Sequence, residues 1–170
     1  MYKRVLVPVD GSEVAESILP VVLEITNPRE LDVILLNVNG FIPPRTIEAR
    51  RPFGFADFES QRAEAAGYLN RLGAELRAAG ARVHTRVRGG RPAAEILAVA
   101  RNEAVDLIAM ATHGRRGAAR LLWGSVAEQV IRQSPVPVCL VRRTEKGMAG
   151  RRRDRALHAP SVESVSAGSR

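Results

Sequence analysis

Two glycines and a serine ahead of an amphipathic stretch give residues 111–126 the clearest chemical signal in this sequence. The segment begins where an apolar run ends and finishes where a helical pattern starts. Gly114 and Gly124 have no Cβ, so the backbone there can approach an anion closely. The amides of Gly124, Ser125 and Val126 are predicted to be unpaired donors at a helix N-terminus, which suit phosphate. The segment is therefore predicted to cradle an anionic group.

Two residues of this segment also have a purely structural explanation. Ser125-x-x-Glu128 is the spacing of a capping box, in which Ser125 only caps the helix that follows. Capping and phosphate binding are compatible roles. His113 is either a contact to a bound molecule or a loop histidine held by hydrogen bonds. The spacing leaves these alternatives open.

A second polar cluster, Asp10-Gly11-Ser12, closes the first apolar run and opens the next helical pattern. In open α/β sheets, ligands bind at the carboxyl ends of strands, where both clusters are predicted to lie. Asp10 is placed to accept hydrogen bonds from ribose hydroxyls. The alternative is that Asp10 or Ser12 is an ordinary N-cap.

The sequence lacks the motifs of several enzyme classes. It contains no Walker phosphate loop, no G-x-G-x-x-G, no H-E-x-x-H and no G-x-S-x-G. The three histidines, at positions 84, 113 and 158, do not have metal-ligand spacing with cysteines or acids. No nucleophile–base pair is recognisable, which favours binding over catalysis. We therefore predict no catalytic residue and no metal site.

Short apolar runs alternate with longer amphipathic stretches along the chain. Most of the five runs have few polar interruptions, as strands buried on both faces do. The third run alternates more, which is typical of a strand near a sheet edge. This alternation predicts an α/β fold with helices on both faces of a single open parallel sheet. The predicted strands are 5–9, 33–38, 83–87, 105–110 and 136–141. The predicted helices are 13–26, 57–79, 92–102 and 125–133, and Pro20 is expected to kink the first helix or to open one of its backbone hydrogen bonds.

Length and composition fit one globular domain. The chain has 170 residues, and its 45% hydrophobic content is that of a globular protein. The single cysteine, Cys139, lies in an apolar run and is predicted to be a buried, inert thiol in a reducing compartment. No secretory signal or membrane span is recognisable, so the protein is predicted to be cytoplasmic.

The positive charge is concentrated towards the C-terminus. The formal net charge is +8, and residues 142–170 carry eight basic and three acidic residues. The remaining 141 residues therefore have a net charge of only +3. We predict a domain at 1–143 and a basic, disordered tail at 144–170. Three consecutive arginines at 151–153 would suit a nucleic-acid-binding arm, but the small charge of the body and the 4% aromatic content argue against that function.

Six segments, in this order and at these separations, give the chain a specific family resemblance. The segments are 7–13 (VPVDGSE), 35–38 (LLNV), 90–96 (GRPAAEI), 111–115 (ATHGR), 124–128 (GSVAE) and 135–138 (PVPV). With them, residues 2–143 resemble the universal stress protein family. The resemblance implies a Rossmann-like fold with a five-stranded parallel sheet of order 3-2-1-4-5.

The ATP-binding members of that family have the pattern Gly-x2-Gly-x9-Gly-[Ser/Thr]. Gly114, Gly124 and Ser125 match the last three elements, whereas Ala111 replaces the first glycine. A methyl group at that position either crowds the ribose or is accommodated by ordinary backbone angles.

By matching position, the resemblance implies a role for each residue of the predicted site. Asp10 resembles the ribose contact, and Val38 resembles the backbone contact to adenine. The phosphate contacts would be made by Gly114, Gly124, Ser125 and Val126. The remaining predicted nucleotide-binding residues are Pro8, Val9, Met110, Ala111 and His113.

The resemblance further implies a nucleotide-binding regulatory protein of the stress response. Its expected ligand is ATP, with ADP or AMP as alternatives and Mg²⁺ as an accompanying cation, and its activity would be at most slow ATP hydrolysis. A homodimer through the strand Val136–Val141 is expected, because a free apolar edge invites association. The alternative, for which Ala111 speaks, is a dimeric interaction module of the same fold that binds no nucleotide. No membrane partner is expected.

Overall fold

The computed structural model describes residues 1–40, 55–113 and 124–143. The predicted tail at 144–170 and Gly114 lie outside these ranges. No helix within them is long and apolar enough to cross a membrane. The elements are β1 Arg4–Pro8, α1 Glu13–Glu16, α2 Leu19–Ile25, a 3₁₀ turn Pro28–Glu30, β2 Asp32–Gly40, α3 Phe55–Ala78, β3 Arg82–Gly90, α4 Pro92–Asn102, β4 Leu107–His113, α5 Ser125–Gln133 and β5 Val138–Arg143.

The five strands form one parallel sheet in the order β3-β2-β1-β4-β5, which confirms the predicted α/β fold. The strand β1 lies between β2 and β4, so the chain reverses its direction of winding there. Because all strands are parallel, their carboxyl ends meet at one edge of the sheet. Such a reversal opens a crevice outside the carboxyl ends of the central strands.

Each face of the sheet is covered by one helical layer. The first layer, α1 to α3, packs on alternate strand residues such as Val7 and Leu35. The second layer, α4 and α5, packs on the residues between them, such as Leu6 and Ile34. All four side chains are fully buried. The side-chain alternation of the strands thus divides the core into two parts, one on each face.

The helix predicted at 13–26 is divided into α1 and α2. The α1 helix ends at Glu16, and the Ser17 hydroxyl donates to the Val14 carbonyl oxygen at 2.6 Å. Pro20 occupies the first turn of α2, where its missing N–H is tolerated. In one continuous helix Pro20 would leave a carbonyl of the preceding turn without its donor. The predicted kink is therefore a complete break.

The last two strands lie further along the chain than predicted. The β4 strand extends to His113 instead of ending at Met110, and β5 is Val138–Arg143 instead of 136–141. Pro137 has no N–H to donate, and only its carbonyl oxygen joins the ladder, accepting from Ile108 N at 3.0 Å. The Ser134 hydroxyl holds a turn just before it, with bonds to the backbone of Val136. The regular pairing of β5 therefore begins one residue after Pro137.

The edge strand β3 is marked by arginines, as its alternating sequence predicted. Arg86 makes two hydrogen bonds to the Glu103 carboxylate, at 2.6 and 3.0 Å, which ties β3 to the end of α4. Arg82 bonds Asp32, its register partner at the start of β2. Arg88 is exposed near the end of the strand. The charged side chains along this edge oppose pairing with a further strand.

The Arg82–Asp32 pair makes the stability of the fold depend on pH. Its hydrogen bond is the main reason why the pKa of Asp32 lies below its usual value, and partial burial opposes the shift. A lowered pKa stabilises the folded state above the unfolded value of about 3.9, and the gain is lost as pH falls through the folded value. We expect Arg82→Gln to be less stable than the parent protein at pH 6 and equally stable near pH 2. Urea unfolding at both pH values measures this, and a difference that persists at pH 2 would contradict it.

Cys139 is half-buried in β5, less enclosed than predicted. Partial burial raises the pKa of its thiol above the ordinary value. The thiol is therefore protonated at neutral pH, which agrees with the predicted inertness.

Candidate functional site

The turn between β1 and α1 holds Asp10 in a fixed position. The exposed Asp10 carboxylate accepts two hydrogen bonds on Oδ1, from Ser12 N at 3.0 Å and from the Ser12 hydroxyl at 2.6 Å. The Ser12 hydroxyl in turn accepts from Ala15 N at 3.1 Å and is the N-cap of α1. Ser12 therefore fills the capping role, and Asp10 keeps Oδ2 without a partner among the described residues. That oxygen is available to a hydroxyl donor.

Gly11 allows this turn because its backbone has a φ of +87°. A side chain at this φ would be strained, although a Cβ would meet no atom within 4 Å. The glycine is therefore required by backbone conformation and not by crowding. It turns the chain sharply enough for Ser12 to reach back to Asp10.

The carboxyl end of β2 lies beside this turn. Val9 N donates to the Leu36 carbonyl oxygen at 2.8 Å, which extends the β1–β2 pairing beyond the half-buried Pro8. The Val38 side chain packs on the second layer. The predicted role for Val38, a backbone contact to adenine, does not depend on that side chain.

Asn37 was not among the predicted site residues, but it joins these two strand ends. Its amide Nδ2 donates to the Val9 carbonyl oxygen at 2.9 Å, and its side chain is 8% exposed. The signal in the sequence was a polar residue in line with Leu35 and Val33, which are buried two and four positions earlier. A buried amide at such a position needs partners that an apolar residue does not.

A cleft of about 570 Å³ opens between the β1 and β2 ends and the helix α3. This volume is within the range of small-molecule sites. The cleft combines acidic, basic and amide side chains with an aromatic ring. Its lining comprises Asp10, Gly11, Asn37, Asn39, Gln61, Glu64, Ala65, Gly67, Tyr68 and Arg71.

Tyr68 links α3 to α1 at the back of this cleft. Its hydroxyl donates to Glu16 Oε1 at 3.0 Å. Burial, followed by this bond to a carboxylate, raises the pKa of Tyr68 above its ordinary value. The phenol therefore keeps its proton throughout the physiological range and remains a donor to Glu16. The bond fixes the distance between the two helices that flank the cleft.

The carboxyl end of β4 lies on the other side of β1. Met110 is buried against the second layer, and Ala111 is half-buried against the first. Ala111 pairs with Val141 in regular strand, and its φ is not positive. The backbone at the position of the replaced glycine therefore has angles that alanine adopts without strain. His113 lies in the last position of the strand, not in a loop.

Thr112 is a second buried polar residue that sequence reasoning missed. It is 7% exposed, and its Oγ1 has no hydrogen-bond partner among the described residues. No sequence pattern marks this threonine, which lies between Ala111 and His113, as a buried residue without a hydrogen-bond partner.

The N-terminus of α5 presents backbone donors to solvent. Gly124 is the N-cap, and Glu128 N donates to its carbonyl oxygen at 3.0 Å. The amides of Gly124, Ser125, Val126 and Ala127 precede that first helical bond, so the helix itself offers them no acceptor. Gly124 and Ser125 are exposed, and Val126 is half-buried. Backbone donors at a helix N-terminus suit an anion, and the phosphate role of these residues stays a prediction.

The predicted capping box at Ser125 is wrong. Ser125 is the first helical residue, not the N-cap, and its hydroxyl bonds none of the described residues. Glu128 instead bonds Arg132 one turn later, at 2.9 Å. The physical reason is that the helix begins after Gly124, which places Glu128 one position too far along to reach back to the cap.

Together these elements place hydrogen-bond acceptors and donors along one edge of the sheet. Asp10 follows β1, Asn37 lies in β2, and Ala111 lies in β4, which are neighbouring strands about 4.8 Å apart. Among the described residues, no group of three or more His, Cys, Asp or Glu is placed to hold a metal ion. The arrangement suits binding of a molecule with an anionic group at one end and hydroxyl or amine donors elsewhere.

Comparisons with known proteins point to one family. A family model described as the universal stress protein family matches residues 1–142. A universal stress protein of Methanocaldococcus jannaschii is 34% identical over 159 residues, which cover 84% of this chain and 96% of that protein. The solved structure of the M. jannaschii protein has a TM-score of 0.71 and covers 85% of this chain and 99% of that one.

Two further solved structures, both below 25% identity, share the fold. One is a universal stress protein in complex with cAMP, 22% identical, with a TM-score of 0.62 over 83% of this chain and 97% of that one. The other is an Arabidopsis thaliana protein of the same family with AMP bound. It is 18% identical, with a TM-score of 0.62 over 85% of this chain and 94% of that one.

Proposed function

This chain belongs to the universal stress protein family, and we propose that it binds an adenine nucleotide, ATP in the first place, and acts as a regulator in the stress response. The observation that carries the proposal is the N-terminus of α5, where Gly124 and Ser125 are exposed and the helix itself offers no acceptor to the amides of its first turn. A helix N-terminus of this kind favours phosphate through both its N–H groups and its dipole.

The proposed arrangement follows the order of the strands. The phosphates lie on the amides of Gly124, Ser125 and Val126, and Gly114, outside the described residues, is proposed as a further contact. The ribose hydroxyls donate to Asp10, whose Oδ2 accepts no bond from the described residues. The base lies towards the end of β2, by the backbone of Val38. The remaining residues of the proposed nucleotide site are Pro8, Val9, Met110, Ala111 and His113.

Ala111 is compatible with this arrangement. Its ordinary φ and its place in regular β4 pairing mean that the backbone is not distorted by the methyl group. Two other proteins of this fold hold adenine nucleotides, cAMP in one and AMP in the other. The proposal that this chain also binds such a nucleotide rests on its own hydrogen-bond donors and acceptors.

Further properties belong to the same proposal. The nucleotide-binding unit is residues 1–143, with a basic tail at 144–170. It works in the cytoplasm as a homodimer through β5, the last strand of the sheet. Any Mg²⁺ would be held mainly by phosphate oxygens and water, as is usual for this ion. In this proposal nucleotide binding, and not turnover, carries the regulation.

The test is to identify what the purified protein holds. The protein is prepared without added nucleotide, denatured with acid, and the released small molecules are identified by chromatography and mass. We expect near-stoichiometric ATP or ADP, or, from an emptied protein, a thermal shift with added ATP. If nothing is released and millimolar ATP gives no shift, the proposal fails, and a dimeric interaction module without nucleotide becomes the better description.

A further inference from the structure

Asn37 is a buried amide in an otherwise apolar row of β2. Val33 and Leu35, on the same side of the strand, are fully buried in the first core. Asn37 continues this row at the carboxyl end of the strand, where the cleft begins. An apolar residue would pack there without any need for hydrogen bonds. Because buried polar groups are normally hydrogen-bonded, an amide at this position indicates partners in the protein or in a bound molecule.

The orientation of the Asn37 amide is determined by Val9. A backbone carbonyl oxygen only accepts, so the amide group must turn its Nδ2 towards Val9 O, 2.9 Å away. Its Oδ1 then has no hydrogen-bond partner among the described residues and almost no contact with solvent. Leaving a buried acceptor unpaired costs free energy, which a donor from a bound molecule would recover.

The surroundings of Asn37 leave room for such a donor. Asn37 lines the cleft of about 570 Å³, together with long side chains of α3. Gln61, Glu64 and Arg71 line the same cleft with exposed side chains, which adjust readily to an occupant that approaches Asn37. Tyr68 is held in place by Glu16 and gives the cleft a rigid wall.

We propose that Asn37 Oδ1 accepts a hydrogen bond from the exocyclic amine of the nucleotide base, so that Asn37 selects 6-amino purines over 6-oxo purines. The inference rests on the proposed function and adds to it the residue that reads the base. A 6-amino purine offers a donor to Oδ1. A 6-oxo purine presents a second acceptor at the same place, which leaves both oxygens unpaired.

The order of the strands supports this assignment. The anion donors of α5 follow β4, Asp10 follows β1, and Asn37 lies at the end of β2. These three strands are consecutive in the sheet and span about 10 Å in total. A nucleotide laid across them meets phosphate donors first, a hydroxyl acceptor second and the amine acceptor last.

The test compares two ligands that differ only in the amine. ATP and purine riboside triphosphate, which lacks the 6-amino group, are titrated by calorimetry into the full chain freed of nucleotide. We expect ATP to bind about tenfold more tightly, the usual effect of one neutral hydrogen bond to a buried group. Equal affinities would overturn the assignment of Asn37 while leaving nucleotide binding intact. Failure of both ligands to bind would instead refute the proposed function and this inference with it.

A variant then attributes the preference to this side chain. Asn37→Leu removes the acceptor at similar volume, and the preference for ATP over the purine analogue should fall to about one. The readout is the ratio of the two affinities, because the bond to Val9 that the variant loses affects the binding of both ligands alike. Asn70→Leu, on the exposed face of α3 and outside the cleft, is the matched control and should keep the ratio. A preference that survives Asn37→Leu would overturn the proposal.

If Asn37→Leu does not fold, the side-chain amide of Asn37 provides a second readout in the unaltered protein. Its NMR resonances should shift on addition of ATP and shift much less with the purine analogue. Identical shifts with both ligands would also overturn the proposal.

Discussion

Gly124→Asp is expected to lower the affinity for ATP at least about a hundredfold while the fold is retained. The new carboxylate would compete with the phosphates for the amides of Ser125 and Val126 and would repel them as a like charge. Hydrogen bonds to charged groups each contribute about 1.5–3 kcal/mol, so the loss of one or two accounts for this effect. Calorimetric titration of the variant and the parent protein measures it.

The fold should tolerate this change for two reasons. A Cβ at Gly124 would meet no atom of the described residues within 4 Å, and aspartate is a favoured N-cap residue, so the melting temperature without nucleotide should be equal or higher. Gly124→Asn is the matched control, since it caps the helix without a charge and should cost less affinity. An Asp variant that folds and binds ATP as tightly as the parent protein would refute the placement of the phosphates at α5.

Leu69→Ala is expected to lower the free energy of unfolding by about 2–5 kcal/mol, the range for a leucine truncated in a packed core. Leu69 is fully buried in the first core and holds α3 against the sheet, next to the cleft residue Tyr68. The truncation removes apolar contacts and leaves a cavity that the rigid strands cannot fill. Urea unfolding without nucleotide measures the change.

The matched control for Leu69→Ala is Ile25→Ala. The Ile25 side chain is 39% exposed at the end of α2, so its truncation should cost much less. Equal losses in the two variants would mean that α3 is not anchored through Leu69. Such a result would also contradict the inference that α3 forms a rigid wall of the cleft.

The sequence was most informative where proline and glycine bracket a helix. The helices predicted at 92–102 and 125–133 have those bounds in the structure, because Pro92 is suited to a first turn and Gly124 and Pro135 flank α5. Strand ends were less predictable. An apolar run indicates burial, whereas a strand continues as long as its backbone pairs, which carried β4 through Thr112 to His113.

Candidate site residues could be named from the sequence where a residue type follows the end of a strand. Asp10 and the donors of α5 were named as candidates because acceptors and helix N-termini after strands often form ligand sites, and their roles stay predictions. Asn37 was not recognised, since its importance depends on the atom that its amide faces, Val9 O, and on the atom left unpaired. The capping box was misplaced because the spacing Ser-x-x-Glu does not determine which residue begins the helix. The atom that a side chain faces and the first residue of a helix depend on tertiary geometry, and no local sequence pattern indicates them.

The two edges of the sheet differ, and the difference limits how copies of the chain can assemble. The edge strand β3 carries Arg82, Arg86 and Arg88, whereas β5 opens with the apolar run Val138–Val141. A dimer joined through β5 would cover the apolar edge strand of both copies, and the arginine-bearing β3 strand of each copy would remain at an outer edge. Neither outward edge favours a third copy, so growth would stop at a closed pair instead of continuing into a filament.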